Sequence, residues 1–131
     1  MTLATCIENI PYCCSLFYAL DAERGHFYFM SSTDTKHIQQ ALQHSSVAGT
    51  IVSSDVSIAR LQGIQFTGKF FKPDGDLIQE SKKIYLRIIP AAAFSASSLW
   101  AIEIQSIKMT DNTLGFGKKI TWLRENQKEF I

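Results

Sequence analysis

Turn signals recur along this chain at short intervals, and they leave segments that are too short for a bundle of long helices. The first interruption is Glu8-Asn-Ile-Pro11, the second is residues 21–25 with a closing Gly, and a later one is Pro73-Asp-Gly75. The apolar residues between these turns are often β-branched or aromatic, which is typical of strands. The spacing therefore predicts a mainly β protein of the α+β class.

Six strands are expected from the apolar segments between the turns. The first three form an antiparallel set, the fifth is long and bulged at its glycines, and a closing segment at residues 114–123 follows the sixth. The predicted strands cover residues 2–7, 12–20, 26–30, 47–53, 56–71 and 99–109.

Two helices are predicted between these strands. Ser and Thr residues at 31–35 precede Ile38, Ala41 and Leu42, whose spacing is that of one helix face, so a helix is expected over residues 35–45. A second helix is expected to begin at Asp76, where Gln79 completes a capping-box spacing, and to end at Pro90. Strands and helices together indicate a closed or nearly closed antiparallel barrel.

Length and composition fit one domain covering residues 1–131. The chain has 131 residues, of which 46% are hydrophobic and 19% charged, enough for one core. The net charge of +1 does not favour nucleic acid as a partner, and no apolar run reaches the roughly 20 residues of a membrane helix. The opening residues lack the pattern of a signal peptide, so we expect a cytoplasmic protein.

The three cysteines, Cys6, Cys13 and Cys14, are an odd number without metal-ligand spacing. We expect them to be small core residues without disulfides. Neither a metal site nor a pair of carboxylates suited to acid–base chemistry is predicted from the His, Asp and Glu positions.

The transition from the third strand to the first helix is the first candidate site. It contains Ser31, Ser32, Thr35, Lys36 and His37. Unpaired backbone N–H groups and the positive end of a helix dipole favour an anion, and hydroxyl and ammonium groups add donors, so the cluster suits a phosphate. An ordinary helix cap with one solvated Lys is the other interpretation of the same residues.

The Gly-rich segment over residues 114–119 is the second candidate. Its glycines allow a backbone to approach a ligand, and Lys118 and Lys119 could neutralise a phosphate or carboxylate, with Trp122 close behind. A tight turn beside a solvated basic pair is the alternative, because the segment lacks P-loop and dinucleotide-binding spacing.

Several segments together resemble the pyridoxamine 5′-phosphate oxidase-like superfamily of FMN-binding split barrels. They are Met1-Thr-Leu-Ala-Thr5, Tyr28-Phe-Met-Ser-Ser-Thr-Asp-Thr-Lys-His37 and Val47-Ala-Gly-Thr-Ile51. Two further segments, Gly63-Ile-Gln-Phe-Thr-Gly68 and Ile107-Lys-Met-Thr-Asp-Asn-Thr-Leu-Gly-Phe-Gly-Lys-Lys119, resemble more closely the bacterial YhbP-like family of that superfamily. The resemblance extends over nearly the whole chain.

This resemblance implies a six-stranded split β-barrel of Greek-key type that binds FMN in a groove shared by two copies of the chain. By position, Thr35, Lys36 and His37, with Ser31 and Ser32, would hold the phosphate. Ser15, Leu16 and Phe17 on the second strand would face the flavin ring. Lys118, Lys119 and Trp122 would be contributed by the partner copy.

Three functions are compatible with these residues and with the resemblance. The resemblance implies a flavin-dependent oxidoreductase of unknown substrate, in which FMN carries the redox chemistry. The alternative is a non-catalytic module that binds flavin, haem or another phosphorylated ligand, or a bare dimeric scaffold, because one fold hosts many functions. Homodimerisation is expected in each case, since an outer barrel face carrying Phe66, Phe70, Ile102 and Ile104 would need a partner surface.

Overall fold

A computed structural model of the chain describes residues 1–55 and 57–125. Within them, eight strands form one sheet with two α-helices and two short 3₁₀ turns. The strands are β1 Thr2–Ile7, β2 Ile10–Ser15, β3 Ala19–Asp21, β4 His26–Ser31, β5 Ser46–Val52, β6 Gln62–Phe71, β7 Ser98–Asp111 and β8 Lys119–Leu123. The helices are α1 Lys36–Gln43 and α2 Leu77–Ile88, and the 3₁₀ turns are Pro90–Phe94 and Asn112–Leu114.

All strand pairs are antiparallel. The order across the sheet is β2-β1-β5-β6-β7-β4-β3, and β8 also pairs with β7. The pairing of β6 with β7 shifts register between Thr67 and Gly68, which is the bulge expected in the long fifth strand. The prediction of a mainly antiparallel β protein with two helices is confirmed.

The predicted number of strands is wrong, because one predicted strand is divided in two and the closing segment contains a strand of its own. Residues 12–20 were expected to be one strand, but β2 ends at Ser15 and β3 begins at Ala19, at the opposite end of the sheet. The fifth predicted strand begins only at Gln62, and the closing segment contains β8, so eight strands replace six. Apolar content continues through residues 16–18, and for that reason the sequence pattern did not reveal the break.

The strands enclose a core on one face of the sheet. The buried residues of this main core come from six elements and include Leu3, Phe27, Phe29, Ile38, Val47, Phe66, Phe70, Trp100, Ile102 and Ile104. The other face carries a smaller core beneath α2, formed by Ala19, Tyr28, Tyr85 and Ala101. Because side chains alternate along a strand, neighbouring residues of β4 and β7 contribute to different cores.

This arrangement corrects the expectation of an apolar outer face. Phe66, Phe70, Ile102 and Ile104 are each at most 5% exposed and belong to the main core. The cysteine prediction is also partly wrong: all three thiols are free, but Cys13 is exposed and Cys6 and Cys14 are half-buried. The exposed apolar side chains lie elsewhere, notably Ile120, Trp122 and Leu123 on β8.

One edge of β7 is shared by two strands. Its first half pairs with β4 and its second half with β8. Arg124 bridges the point between them: its Nε donates to the Ile104 carbonyl at 2.7 Å, and its Nη2 donates to the carbonyls of Arg24 and Gly25, each at 2.9 Å. Gly25 has φ +66°, and a Cβ there would lie 2.5 Å from that Nη2. A single guanidinium thus joins the C-terminal strand to the β3–β4 turn.

A chain of polar groups connects the same turn to α2. The buried hydroxyl of Tyr28 donates to Asp21 Oδ2 at 2.9 Å and lies 3.2 Å from His26 Nδ1. Arg24 donates to Asp21 at 2.9 Å and also pairs with Glu80 of α2. Burial tends to raise the pKa of Asp21, but the hydrogen bonds from Arg24 and Tyr28 outweigh it and hold that pKa below its usual value. The turn that follows β3 is therefore fixed to α2.

Candidate functional site

The first candidate site forms where β4 passes into α1. Thr35 is the residue before the helix, and its hydroxyl donates to the Ser32 carbonyl at 2.8 Å instead of capping a helix N–H. Ser31 Oγ lies 2.8 Å from His37 Nε2, and Thr35 Oγ1 lies 3.3 Å from the same nitrogen. The structure thus brings Ser31, Ser32, Thr35 and His37 together.

His37 is an internal member of this cluster. Its side chain is buried, and burial lowers its pKa, so the ring is neutral at pH 7. It contacts the hydroxyls of Ser31 and Thr35, and Ser31 is anchored in turn because Trp100 Nε1 donates to its carbonyl at 3.0 Å. In this arrangement His37 positions the hydroxyl groups of the helix start.

Lys36 extends from the same helix start toward β2. Its ammonium group lies 4.6 Å from the centre of the Tyr12 ring. Tyr12 precedes Ser15 by three residues on β2, which is roughly 10 Å along an extended strand. The Lys36 side chain therefore reaches the same strand that ends at Ser15.

An open groove begins at this end of β2. It has a volume of about 470 Å³, within the range of about 300–1,000 Å³ that is typical of small-molecule sites. Ser15, Leu16 and Phe17 line one wall, and Ile51 and Val52 line the other. We call this cavity the β2 groove.

Hydroxyl groups and apolar surfaces are arranged regularly in the β2 groove. Ser15, Thr2 and Thr50 are directly paired across β2, β1 and β5, and all three are exposed, so their hydroxyls form a row on one face. Leu16 packs against the main core, whereas Phe17 is 78% exposed. A ligand with a polar edge and a flat apolar body matches these walls.

The β2 groove continues past Tyr18. A second cavity of about 300 Å³ shares Tyr18, Ile51 and Val52 with it and extends to Gln62 and Met109. Tyr18 packs edge-on against Phe27 of the main core, with ring centres 5.4 Å apart, which fixes the wall between the two cavities. Sequence reasoning missed Tyr18 and the β5 wall, although Tyr18 directly follows the predicted ring-facing residues.

The second candidate site lies far from the first within one copy of the chain. Lys119 pairs with Thr110 near the end of β7, whereas Ser31 pairs with Ser98 at its beginning. Twelve residues of strand separate these positions, roughly 40 Å at full extension. Lys118, Lys119 and Trp122 are all exposed, and their predicted approach to Thr35–His37 requires a second copy of the chain.

Metal sites and membrane-spanning helices are the two remaining features that the sequence raised. Among residues 1–55 and 57–125, no group of three or more His, Cys, Asp or Glu side chains has the geometry of a metal site. In the same residues, no helix is long and apolar enough to cross a membrane.

Comparison with known proteins gives close relatives by sequence and more distant ones by structure. The chain is 36% identical over 129 residues to the UPF0306 protein YhbP of Salmonella arizonae, covering 98% of this chain and 88% of that protein. No protein-family model matches the sequence.

The structural relatives share the fold. A haem-binding protein from Mycobacterium smegmatis superposes with a TM-score of 0.78 at 21% identity, over 93% of this chain and 51% of that one. The present chain thus spans about half the length of that protein. An FAD-binding protein from Mesorhizobium loti superposes with a TM-score of 0.68 at 15% identity, over 82% of each chain.

Proposed function

The chain belongs to the UPF0306 family of YhbP proteins, within the pyridoxamine 5′-phosphate oxidase-like superfamily, and on that premise we propose that it binds FMN in the β2 groove and uses it for redox chemistry. One observation carries this proposal: an open groove with apolar walls lies at the end of β2, and Lys36, from a helix start rich in hydroxyl groups, contacts the same strand at Tyr12. FMN has the same two parts, a fused ring and a phosphate.

The ring portion of FMN fits the groove chemically. Leu16, Ile51 and Val52 offer apolar contacts, and the row of Ser15, Thr2 and Thr50 hydroxyls can hydrogen-bond the polar edge of the ring. Phe17 is exposed beside the groove and can pack on a ring face.

The phosphate would be held at the start of α1. The N–H groups of its first turn and the Lys36 ammonium are donors for an anion, and the Thr35 hydroxyl can become one by giving up its hydrogen bond to the Ser32 carbonyl. His37 and Ser31 are hydrogen-bonded to each other, so in this proposal they position the site and do not contact the phosphate directly.

A single copy supplies little charge for a phosphate monoester, which carries about −1.5 to −2 at pH 7. Lys118 and Lys119 of a second copy are the proposed additional source, with Trp122 covering the open side of the groove. The exposed apolar side chains of β8 support such an association, since Ile120 is 49% and Trp122 44% exposed.

A non-catalytic flavin carrier is the second candidate function. The groove lining favours this function, because Tyr18 is the one titratable side chain among its described residues. Such a lining offers few groups that could transfer protons during a reaction.

Titration of the purified protein with FMN, followed by flavin fluorescence, tests the proposal. We expect saturable binding that Lys36→Ala weakens by about tenfold or more, since a hydrogen bond to a charged group contributes about 1.5–3 kcal/mol. Lys83→Ala on α2 is the matched control and should bind like the wild type. Thr50→Trp should block the groove and abolish binding.

Two outcomes would contradict the proposal. One is wild-type affinity in both Lys36→Ala and Thr50→Trp with unchanged melting temperatures, which would exclude this groove. The other is stoichiometric haem binding without FMN binding.

Anaerobic reduction of bound flavin by NADH or NADPH then separates the oxidoreductase, which turns over, from the carrier, which does not.

A further inference from the structure

A second pocket lies on the opposite face of the sheet, beside α2. It has a volume of about 290 Å³ and is separated from the main core by β4 and β7. Its lining comes from four segments and comprises Met30, Lys72, Pro73, Ile78, Lys82, Ala92, Ala93, Ser95, Ser97, Ser98 and Leu99. We call it the α2 pocket.

The interior of the α2 pocket is apolar. Met30, Leu99 and Ala92 belong to the partly buried rim of the smaller core, so the pocket floor continues that core to the surface. Ile78 of α2 forms a side wall and is 47% exposed. A ligand that covers this apolar surface removes it from water, which makes a favourable contribution to the free energy of binding.

The mouth of the α2 pocket carries positive charge and hydroxyl groups. Lys72 and Lys82 both line it, together with three Ser residues of the segment 95–98. Within the described residues, ion pairs involve Arg24 and Arg60, and neither of these lysines has a carboxylate within ion-pair distance. Both lysines therefore line the pocket without an acidic partner among the described residues.

The Lys72 side chain also contacts a residue of the main core. Its ammonium group lies 5.7 Å from the centre of the Trp100 ring, and the next residue, Pro73, is buried and has a restricted backbone. A cation that is already oriented loses less freedom when it binds an anion.

From these observations we propose that the α2 pocket binds an organic anion with an apolar body, a carboxylate or a phosphate ester. The apolar floor takes the body of the ligand, and Lys72, Lys82 and the Ser hydroxyls take the anionic head. This site does not depend on the proposed flavin site, which lies against a different set of strands.

An NMR titration of the ¹⁵N-labelled protein with octanoate tests the proposal. We expect saturable shifts of the amide signals of Ile78, Ala92 and Ser97–Leu99, with little change at Leu16 and Thr50. Octanol, which has the same apolar body without charge, should bind at least about tenfold more weakly, and the octanoate affinity should fall as salt is raised.

Variants localise the effect to the two lysines. The double substitution Lys72→Ala/Lys82→Ala should weaken octanoate binding by about tenfold, whereas Lys83→Ala, one residue away on α2 and outside the pocket, should not. Both lysines are exposed, so the variants should keep a folded spectrum.

Four results would overturn the proposal. The first is equal affinity for octanol and octanoate, and the second is wild-type binding by the double variant. The third is a set of shifts confined to the β2 groove. Binding to vesicles of anionic phospholipid without binding of octanoate or phenyl phosphate would likewise replace the small-molecule site with a membrane-binding surface.

Discussion

Removing the Tyr28 hydroxyl tests whether the polar chain between α2 and the β3–β4 turn stabilises the fold. The Tyr28 side chain is completely buried, and its hydroxyl donates to the carboxylate of Asp21 at 2.9 Å. Tyr28→Phe removes this donor, while the ring and its packing against Tyr85 and Ala101 stay in place. Asp21 then keeps Arg24 as its partner.

The expected cost follows from the charge on the acceptor. A hydrogen bond to an ionised group contributes about 1.5–3 kcal/mol, and a buried carboxylate that loses a donor keeps its desolvation cost. For a chain of 131 residues, 1 kcal/mol corresponds to about 4 °C in melting temperature. Tyr28→Phe should therefore melt about 6–12 °C below the wild type.

Thermal and urea unfolding at pH 7, followed by circular dichroism, measure this difference. Tyr18→Phe is the matched control, because the Tyr18 ring packs against Phe27 and no hydrogen bond of its hydroxyl occurs within residues 1–55 and 57–125. The control should stay within about 0.5 kcal/mol of the wild type. Equal stability of Tyr28→Phe and the wild type would refute the reasoning.

Three other predictions concern packing, pH and assembly. Gly49→Ala should destabilise the protein by about 1–3 kcal/mol in urea unfolding, because its Cβ would lie 2.4 Å from the Phe66 ring, whereas Gly63→Ala, with nearest contact at 3.8 Å, should be near neutral. Burial lowers the pKa of His37 in the folded state, so the unfolded state binds a proton first as pH falls. The contribution of neutral His37 to the free energy of unfolding is therefore present above pH 6.5 and is lost below it. His37→Gln should accordingly show a shallower fall in unfolding free energy between pH 7.5 and 5.5, and an unchanged slope would contradict this. Light scattering at micromolar concentration should give the mass of a dimer, and a monomer would exclude the shared groove. The double substitution Lys118→Ala/Lys119→Ala should weaken FMN binding and reduce the salt dependence of that binding.

Local features of the fold were predictable from the sequence. The helix start at Thr35 and the end of α2 before Pro90 depend on neighbouring residues, and both were found within two residues of their predicted positions. The capping box at Asp76 was not found, since its side chain makes no cap hydrogen bond. For these two helix ends, local patterns therefore predicted the boundary more reliably than the side-chain contacts.

Features that depend on long-range pairing were not predictable. The break between β2 and β3 has no local signal, because Leu16, Phe17 and Tyr18 have strand-like composition. The assignment of Ile102 to the core or the outer face depends on its pairing with Phe70, 32 residues earlier, and on the bulge that shifts that register. The β2 groove forms where the beginning of β1 and the ends of β2 and β5 lie side by side, which depends on the pairing of β5 with β1. Its role as a cofactor site remains a prediction.

The junction at Arg124 has a consequence for how this chain can vary. Gly25 adopts φ +66°, and its missing Cβ leaves the space that the Arg124 guanidinium occupies. A side chain at position 25 would displace that group, and the carbonyls of Arg24, Gly25 and Ile104 would lose a common donor. Positions 25 and 124, which are 99 residues apart in sequence, should therefore change together during divergence. An insertion in this turn should likewise be accompanied by a change in the length of the strand that ends just before Arg124.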